Sequence, residues 1–494
     1  MAAVAERPAE LRPFALKPRE WAAPAALVLL SLALHLRFRM HGLGEQDEAR
    51  FIITTLSWRE AGSFPLDTGV NLTSPLYLLY LRSALDAGLS PVALVEHLNL
   101  INVATGTAAL VPLFLLFRVL TADVLTALLA SLSYWFVPAF WYGNGYGMAH
   151  IPALLFLLAS LVVFADAQHR SGWAFTLRSL LAVVSMSLAA GLKSDILACG
   201  LAFPALTACV GASSRRNLLV ALAIPAVATA SVLIVSRCFL WVPESLTASA
   251  SSWSEKFPFD ARALVAPEHW KITVDSLGSV FWWAAGIGLA VGLAPGHPPE
   301  VTRRLRRLVV FVIAWAVPTV LFWSLIWAHA ARHLTAALCP VPLLIAVGIT
   351  TLQRQPLRAI LALVALIGLN YDSGPATDHP NRAGPRLFES RAQMQRLADR
   401  LSHGCEQFSE NSSSRKLLLG YWAIPYCEFA LLTRAVRFER TVTTSAVSWD
   451  LELWLPGRPT TTSVRVRREP PPRSIRAAPP GWFAWDAERA RSVP

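Results

Sequence analysis

Long apolar stretches separated by short polar breaks run through the chain from residue 21 to residue 371. A helix that crosses the hydrocarbon core of a bilayer needs about 20 such residues, and by that measure the pattern predicts about 11 spans. They lie at 21–38, 94–117, 121–140, 149–166, 175–192, 196–212, 217–241, 273–293, 305–327, 333–350 and 356–371. The sequence therefore predicts an all-α polytopic membrane protein.

Two long polar connections and a polar tail interrupt this pattern. The connections occupy 39–93 and 242–272, and in the tail the segment RAQMQRLADRL, starting at Arg391, is typical of an amphipathic helix. The rest of the tail is rich in Pro and Arg. We expect three parts: an N-terminal segment at 1–20, a transmembrane domain at 21–371, and a small C-terminal domain at 372–494.

Basic residues predict the orientation of the spans, because short basic loops are retained on the cytoplasmic side. The N-terminal segment carries Arg7, Arg12, Lys17 and Arg19, so we expect it to be cytoplasmic. Alternation of the spans then places every short basic loop on that same face. These loops contain Arg118, His169-Arg170, Arg215-Arg216, the cluster Arg303, Arg304, Arg306 and Arg307, and Arg354 with Arg358. Both long connections and the C-terminal domain are accordingly expected outside the cytoplasm.

Composition excludes the main soluble classes. Apolar residues make up 54% of the 494 residues and charged ones 15%, against roughly 25% charged in an average soluble domain. A soluble enzyme of this length needs more polar residues to cover its surface. The net charge of +12 would suit a nucleic-acid binder, but the apolar excess does not. We expect the lipid bilayer as a partner and no nucleic acid.

The termini leave some questions open. The first span resembles the core of a signal peptide, but its length and the lack of a small-x-small cleavage site in LHLRFRMHG favour an uncleaved helix. Cys405 and Cys427 both lie in the tail, and the sequence does not decide whether they form a disulfide there. Heavy use of Ala, Leu and Arg favours a bacterial inner membrane as the location.

The few charged residues include an acidic pair in the first connection, which is expected on the outer side. Asp47 and Glu48 follow the first span closely, and residues 50–58 suit an amphipathic helix on the membrane surface. Carboxylates at that level can act as a general base, or hold a divalent cation, for a substrate whose reactive group lies among the headgroups. A solvated loop whose acidic residues complement a helix N-terminus explains the pair as well, so the local sequence leaves both interpretations open.

Five segments, in chain order, resemble motifs of the GT-C superfamily of membrane glycosyltransferases, in the branch of protein mannosyltransferases and lipid A aminoarabinose transferases. Asp47–Phe51 (DEARF) resembles the D-E-x-R-Y/F signature, and Ser74–Tyr80 (SPLYLLY) resembles the K-P-P-L-Y-Y-W segment. Gly147–Pro152 resembles the M-x-D-x-P element and Ala190–Asp195 the L-T-K-G turn. The stretch from Ala331 to Pro340 resembles the E-R-Y-L-L-P-A-L-P start of a late span.

The resemblance implies a GT-C-like fold and the transfer of a sugar from a polyprenyl-phosphate-linked donor to an acceptor hydroxyl on the outer face, with inversion. By position in the motifs, Asp47 matches the acidic residue that acts as base or metal ligand, with Glu48 beside it. Lys193 matches the lysine that contacts the lipid-linked phosphate, and Arg332 and His333 are candidates for the same phosphate site. The acceptor is a lipid, a glycan or a protein, and the sequence names neither it nor the donor sugar.

Simpler explanations exist for these cations. Lys193, at the end of a predicted span, also fits a side chain that reaches for the membrane surface or pairs with Asp195 two residues on. Arg332 and His333 also fit interfacial anchors. The sequence leaves these alternatives beside the phosphate site.

Departures from the family pattern concern the substrate. Thr73-Ser74-Pro75 stands where Lys-Pro-Pro is usual, which removes one expected cation, and His150 stands where an acidic residue is common. If a divalent metal ion is used, Asp47 and His150 are its candidate ligands, because a neutral imidazole can still bind a metal. We expect Tyr77, His150 and Lys256 on the substrate or acceptor side. The aromatic loop around Lys256 also fits an interfacial aromatic belt.

Two other functions fit parts of the sequence. A transporter or flippase of lipid-linked sugars would place ionisable residues near the bilayer midplane and often shows internal repeats. Here Asp47, Glu48 and Lys193 are expected near one face, and the sequence shows no repeat. A non-catalytic scaffold whose tail recruits partners does not account for the ordered motifs. A glycosyltransferase is therefore the expected function, with the transporter or flippase as the alternative.

Overall fold

The structure is a computed structural model of the chain. It describes Phe14 and residues 16–44, 46–62, 74–210, 214–240, 261–294, 299–325, 330–353, 355–373 and 386–393, a few single residues from 395 to 429, and five short strands beyond residue 415. Every regular element described before residue 400 is helical. The predicted all-α character of the transmembrane domain is thus confirmed for the described residues.

The α-helices are numbered in chain order. They are α1 (Ala22–Arg37), α2 (Gln46–Ala61), α3 (Pro75–Asp86), α4 (Pro91–Thr121), α5 (Val124–Trp135), α6 (Pro138–Gly143), α7 (His150–Ala167), α8 (Gly172–Leu192), α9 (Ala202–Val210), α10 (Arg215–Phe239), α11 (Pro267–Leu277), α12 (Ser279–Leu293), α13 (Pro299–Leu325), α14 (Ala331–Ala337), α15 (Pro342–Leu352) and α16 (Pro356–Asp372). Short 3-10 segments lie at Pro18–Trp21, Ser194–Leu201 and Ala261–Val265.

Among the described residues, 5 helices are long and apolar enough to cross a membrane, or up to 7 if each bent helix pair counts as one span. The 5 are α4, α7, α8, α10 and Leu305–Leu325 within α13. The bent pairs are α11 with α12 and α14 with α15. The chain is therefore an integral membrane protein. The predicted total of about 11 spans, the cytoplasmic N-terminus and the outward-facing tail stay predictions.

Several predicted spans are not single helices. The span predicted at 273–293 bends by 78° and the one at 333–350 by 55°. Gly278 interrupts the first with a φ of 93°, a conformation that residues with a side chain rarely adopt. Pro340 and Pro342 fall at the second break, where proline cannot continue the preceding helix. The span predicted at 121–140 likewise ends early, because α5 stops at Trp135 and α6 starts afresh at Pro138.

Burial separates central from peripheral helices. In α7, 78% of the apolar span is buried inside the protein, whereas in α10 only 22% is. α7 packs against α4 and α8, and the large side chains of Trp135, Trp141 and Trp315 are fully buried nearby in the core. Because lipid can cover apolar side chains as well as protein can, the exposed leucines of α10 fit a lipid-facing helix. The start of α7 therefore lies in the protein interior.

One buried cation joins the beginning of the tail to the transmembrane domain. Residues 387–393 are helical and overlap the start of the predicted amphipathic helix. From this segment Arg391 donates hydrogen bonds to the carbonyls of Phe38 (3.2 Å) and Trp141 (3.0 Å). Its guanidinium also lies 4.3 Å from the ring centroid of Trp141. These contacts fix the segment against the end of α1 and α6.

The tail contains strands, which the sequence pattern did not predict. β2 (Arg437–Val442), β3 (Ser448–Trp454) and β4 (Thr462–Arg467) form an antiparallel sheet in that order. β1 (Lys416–Leu418) pairs in parallel with β5 (Trp482–Ala484). Cys405 and Cys427 lie outside the described residues, so their pairing stays open, and the boundaries of the predicted domains stay predictions.

Candidate functional site

The ends of four helices bring polar side chains to one place. Asp47 lies in the first turn of α2, His150 begins α7, and Arg332 lies in the first turn of α14. Lys193 ends α8 in an extended conformation (φ −152°, ψ 106°), and the chain then turns into the 3-10 segment Ser194–Leu201. His150, Lys193 and Arg332 line one cleft, and Asp47 contacts Arg332 at its border.

The carboxylate of Asp47 is held by two arginines. Nη2 of Arg332 donates to its Oδ2 at 2.6 Å, and Nη1 of Arg50 lies 3.5 Å from its Oδ1. Burial raises the pKa of Asp47, but the opposing charges of Arg332, Arg50 and Lys193 outweigh it and hold the pKa below its ordinary value. Asp47 is therefore an ionised carboxylate at neutral pH.

Glu48 has a different environment from its neighbour. Its side chain is fully buried and accepts hydrogen bonds from the backbone amides of Gly44 (2.9 Å) and Gly147 (3.0 Å). A Cβ at position 147 would lie 2.3 Å from the Cβ of Leu98 and 2.6 Å from Oε1 of Glu48, so only glycine allows this approach. Glu48 thus fixes the start of α2 against the turn that precedes α7.

Tyr77 supports the same turn from the other side. Its hydroxyl donates to the carbonyl of Gly147 at 2.6 Å. Burial and, after it, the charge of Glu48 raise the pKa of Tyr77 well above its ordinary value, so the hydroxyl stays protonated and remains a donor. The amide of Asn102 donates to the carbonyl of Met148 at 2.9 Å, which secures the next residue. The turn before His150 is therefore held by side chains from α2, α3 and α4.

A small cleft lies beside Asp47 and Arg332, with about 260 Å³ of space between its walls, including the part open to solvent. Its polar lining consists of His150, Lys193, Asp195, Thr319, Arg332 and His333. Lys193 is only 6% exposed, yet its side chain forms no hydrogen bond or ion pair within the described part of the chain. Asp47, whose pKa it helps to lower, and Asp195 of the same cleft supply negative charge nearby, but neither forms an ion pair with it. The ammonium is therefore available to donate to an anionic ligand.

Two histidines and an aspartate meet in this cleft. Nε2 of His150 lies 3.4 Å from Nδ1 of His333, and that same Nδ1 lies 3.4 Å from Oδ2 of Asp195. The ring of His333 stacks on Trp323 with a centroid distance of 3.7 Å and an interplanar angle of 19°. We call His150, Asp195 and His333 the histidine–aspartate cluster.

The structure brings together most of the site residues predicted from sequence. Asp47, Arg332, His333, His150 and Lys193 surround the cleft or border it, and their roles stay predictions. Glu48 and Tyr77 contact the Gly147 turn instead. Lys256 lies outside the described residues.

Sequence reasoning missed two residues of the site. The sequence offers Asp195 as the end of the Ala190–Asp195 motif and as a possible partner for Lys193, but its carboxylate lies next to His333 and forms no ion pair with Lys193 in the described structure. Trp323, which supports the ring of His333, was not singled out at all. The sequence feature that could have pointed to Asp195 as a site residue is its position two residues after Lys193, where α8 has ended.

Comparisons with known proteins add little to this geometry. No family model matches the chain, and no curated protein does. Among solved structures, ArnT from Cupriavidus metallidurans bound to undecaprenyl phosphate is similar with a TM-score of 0.44 and 14% sequence identity, over 85% of this chain and 76% of that one. A likeness at that level establishes neither a shared fold nor a shared activity.

Proposed function

We propose that the chain is a glycosyltransferase that moves a sugar from a polyprenyl-phosphate-linked donor to an acceptor hydroxyl at the membrane surface. The observation that carries the proposal is the ion pair between Asp47 and Arg332 beside the buried ammonium of Lys193. A potential base and two cations for an anion thus lie together at the ends of α2, α8 and α14. The order of the sequence motifs supports the same activity.

The donor phosphate would bind to Lys193 and Arg332. Lys193 contributes a buried ammonium that forms no direct ion pair with a described side chain, and Arg332 contributes a guanidinium that can bind a phosphate through two nitrogens. Binding of the phosphate would draw Arg332 partly away from Asp47. Since Arg332 is the strongest of the charges that lower the pKa of Asp47, the carboxylate becomes a better base when the donor is bound.

The reaction would be a single displacement. The acceptor oxygen attacks the anomeric carbon while Asp47 takes the proton of the acceptor hydroxyl. The bond between the anomeric carbon and the phosphate oxygen breaks, and its electron pair leaves with polyprenyl phosphate, whose charge Lys193 and Arg332 stabilise. One displacement on the face opposite the leaving group inverts the anomeric carbon.

Glu48 and Tyr77 would act as positioning residues. Glu48 fixes the beginning of α2, which carries Asp47, to the Gly147 turn, which leads into His150. Tyr77 holds the carbonyl of Gly147 on the other side of that turn. Both side chains are buried and engaged with backbone groups, which suits support of the site better than contact with a sugar.

The proposal is tested with purified protein in proteoliposomes. Polyprenyl-phosphate-linked pentoses and hexoses are supplied with candidate acceptors, chosen from the glycan or lipid that changes mass when the gene is deleted. We expect acceptor-dependent release of free polyprenyl phosphate, measured by mass spectrometry. Movement of an intact lipid-linked sugar across the bilayer, without cleavage of its phosphoester bond, would instead identify a flippase and refute the transferase.

A further inference from the structure

We propose that the histidine–aspartate cluster is a binding site for a divalent transition metal ion, with Zn²⁺ as the best match. The donors are Nε2 of His150, Nδ1 of His333 and one carboxylate oxygen of Asp195. These three atoms all lie within 4.8 Å of one another, and the cleft borders all three residues.

The distances fit a metal better than they fit direct hydrogen bonds. The His150–His333 and His333–Asp195 separations are both 3.4 Å, longer than the 2.7–3.2 Å typical of an N–H···O bond. Ligands about 2.0–2.1 Å from a tetrahedral Zn²⁺ are about 3.3–3.4 Å apart. Two of the three separations thus match those of ligands around a shared centre, the third lies within 4.8 Å, and Nδ1 of His333 is the atom common to both short pairs.

Three separate elements hold the ligands in place. His150 is the first residue of α7, Asp195 lies in the 3-10 segment after α8, and His333 lies in α14. His150 and His333 are both more than nine-tenths buried, and the ring of His333 is fixed by its stack on Trp323. A preorganised site of this kind loses little side-chain entropy when the ion binds.

Ligand chemistry decides the class of ion. Two imidazole nitrogens and one carboxylate suit Zn²⁺ and related transition metals. Mg²⁺ and Ca²⁺ prefer oxygen ligands. Asp47 does not belong to the cluster, because its carboxylate oxygens contact Arg332 and Arg50. The metal pair expected from the sequence, Asp47 with His150, is thereby replaced in this proposal by His150 with Asp195 and His333.

Three protein ligands leave a fourth position of a tetrahedral ion open, as in catalytic zinc sites. One carboxylate neutralises half of the ion's charge, and Lys193 and Arg332 lie in the same cleft. The open position is therefore suited to an anion. The identity of that anion as the donor phosphate rests on the proposed function, whereas the binding of the metal does not.

The experiment measures metal binding by the full-length protein in detergent, without donor or acceptor. Protein stripped with a chelator is reloaded with Zn²⁺, and the bound metal is quantified by mass spectrometry and by titration against a competing chelator. We expect one Zn²⁺ per chain, and affinity at least ~10-fold lower in His150→Ala, Asp195→Asn and His333→Ala. The matched control His97→Ala removes an exposed histidine and should bind as the wild type does.

Two results would overturn the metal site: a wild-type chain that retains no stoichiometric Zn²⁺, or cluster variants that bind it as tightly as His97→Ala does. If a cluster variant fails to fold, Co²⁺-loaded wild type decides instead. Visible absorption bands typical of four-coordinate Co²⁺ support the site, and octahedral bands contradict it. Loss of turnover in Asp47→Asn with unchanged metal content would separate the transferase proposal from this one.

Discussion

The carboxylate of Asp47 and the guanidinium of Arg332 form an ion pair of 2.6 Å between residues 285 positions apart in the chain. The pair joins the first turn of α2 to the first turn of α14, and Arg332 is more buried than Asp47. The acidic first turn of α2, which carries Asp47 and Glu48, is thereby tied to the start of α14. The proposed chemistry depends on this connection.

Removal of Arg332 should change the acid side of the pH–activity profile. Arg332→Gln removes the largest opposing charge, while burial still raises the pKa of Asp47, so that pKa moves upward. The acid limb of kcat/KM, which reports groups of the free enzyme, should therefore move to higher pH than in the wild type.

The matched control for this measurement is Arg386→Gln, which breaks an exposed ion pair with Glu389. Its acid limb should coincide with that of the wild type. An acid limb that does not move in Arg332→Gln would show that Asp47 does not control it.

Lys193→Ala should weaken binding of the donor. A charge-assisted hydrogen bond contributes about 1.5–3 kcal/mol, which corresponds to a loss of about 10- to 150-fold in affinity. The measurement is the Kd of polyprenyl phosphate for the purified variant. Lys271→Ala, which removes an exposed lysine of α11, serves as the control. Equal affinity in both variants would leave Lys193 as an interfacial anchor only.

Glu48→Gln should destabilise the protein although it preserves the shape of the side chain. Glu48 accepts from two backbone amides, and an amide side chain has only one oxygen, so one buried N–H loses its acceptor. The expected cost is about 1–3 kcal/mol, seen as a lower Tm. Glu60→Gln, on the exposed end of the same helix, should leave the Tm unchanged. Identical melting of both variants would remove the positioning role of Glu48.

Gly147→Ala should disturb the site more than other glycine substitutions do. The added Cβ would meet Leu98 at 2.3 Å and Glu48 at 2.6 Å, whereas at Gly286 it meets nothing within 4 Å. We expect Gly147→Ala to lower both the Tm and the turnover, and Gly286→Ala to match the wild type or gain up to ~1 kcal/mol. A wild-type Tm and turnover in Gly147→Ala would show that the turn before α7 can shift without consequence.

The helical content could be predicted from sequence because a bilayer demands long apolar stretches. The span predicted at 94–117 lies within α4, and the one at 149–166 coincides with α7 to within a residue. The breaks were harder to predict, because Pro340 lies within an apolar stretch, and the polar residues beside Gly278 (Asp275, Ser276 and Ser279) are too few to lower the average hydropathy of a long window. A window that averages hydropathy passes over such a break, although glycine and proline mark it.

The site was predictable only in part, for a similar reason. Asp47, Lys193 and Arg332 stand at recognisable motif positions, but the proximity of Asp195 to His333 depends on how α14 packs against the 3-10 segment. The sequence on either side of Asp195 does not predict how these two segments pack against each other. The separate environments of Asp47 and Glu48 follow from helix geometry, because adjacent residues of a helix do not share a face.

The proposed base gives the most direct test of the account. Asp47→Asn and Asp86→Asn are compared in the proteoliposome assay, the second variant removing an exposed carboxylate of α3. We expect release of polyprenyl phosphate to fall by about 10²–10⁴-fold in Asp47→Asn and to remain at the wild-type rate in Asp86→Asn. Near-wild-type release by a folded Asp47→Asn protein would contradict the assignment of Asp47 as the base.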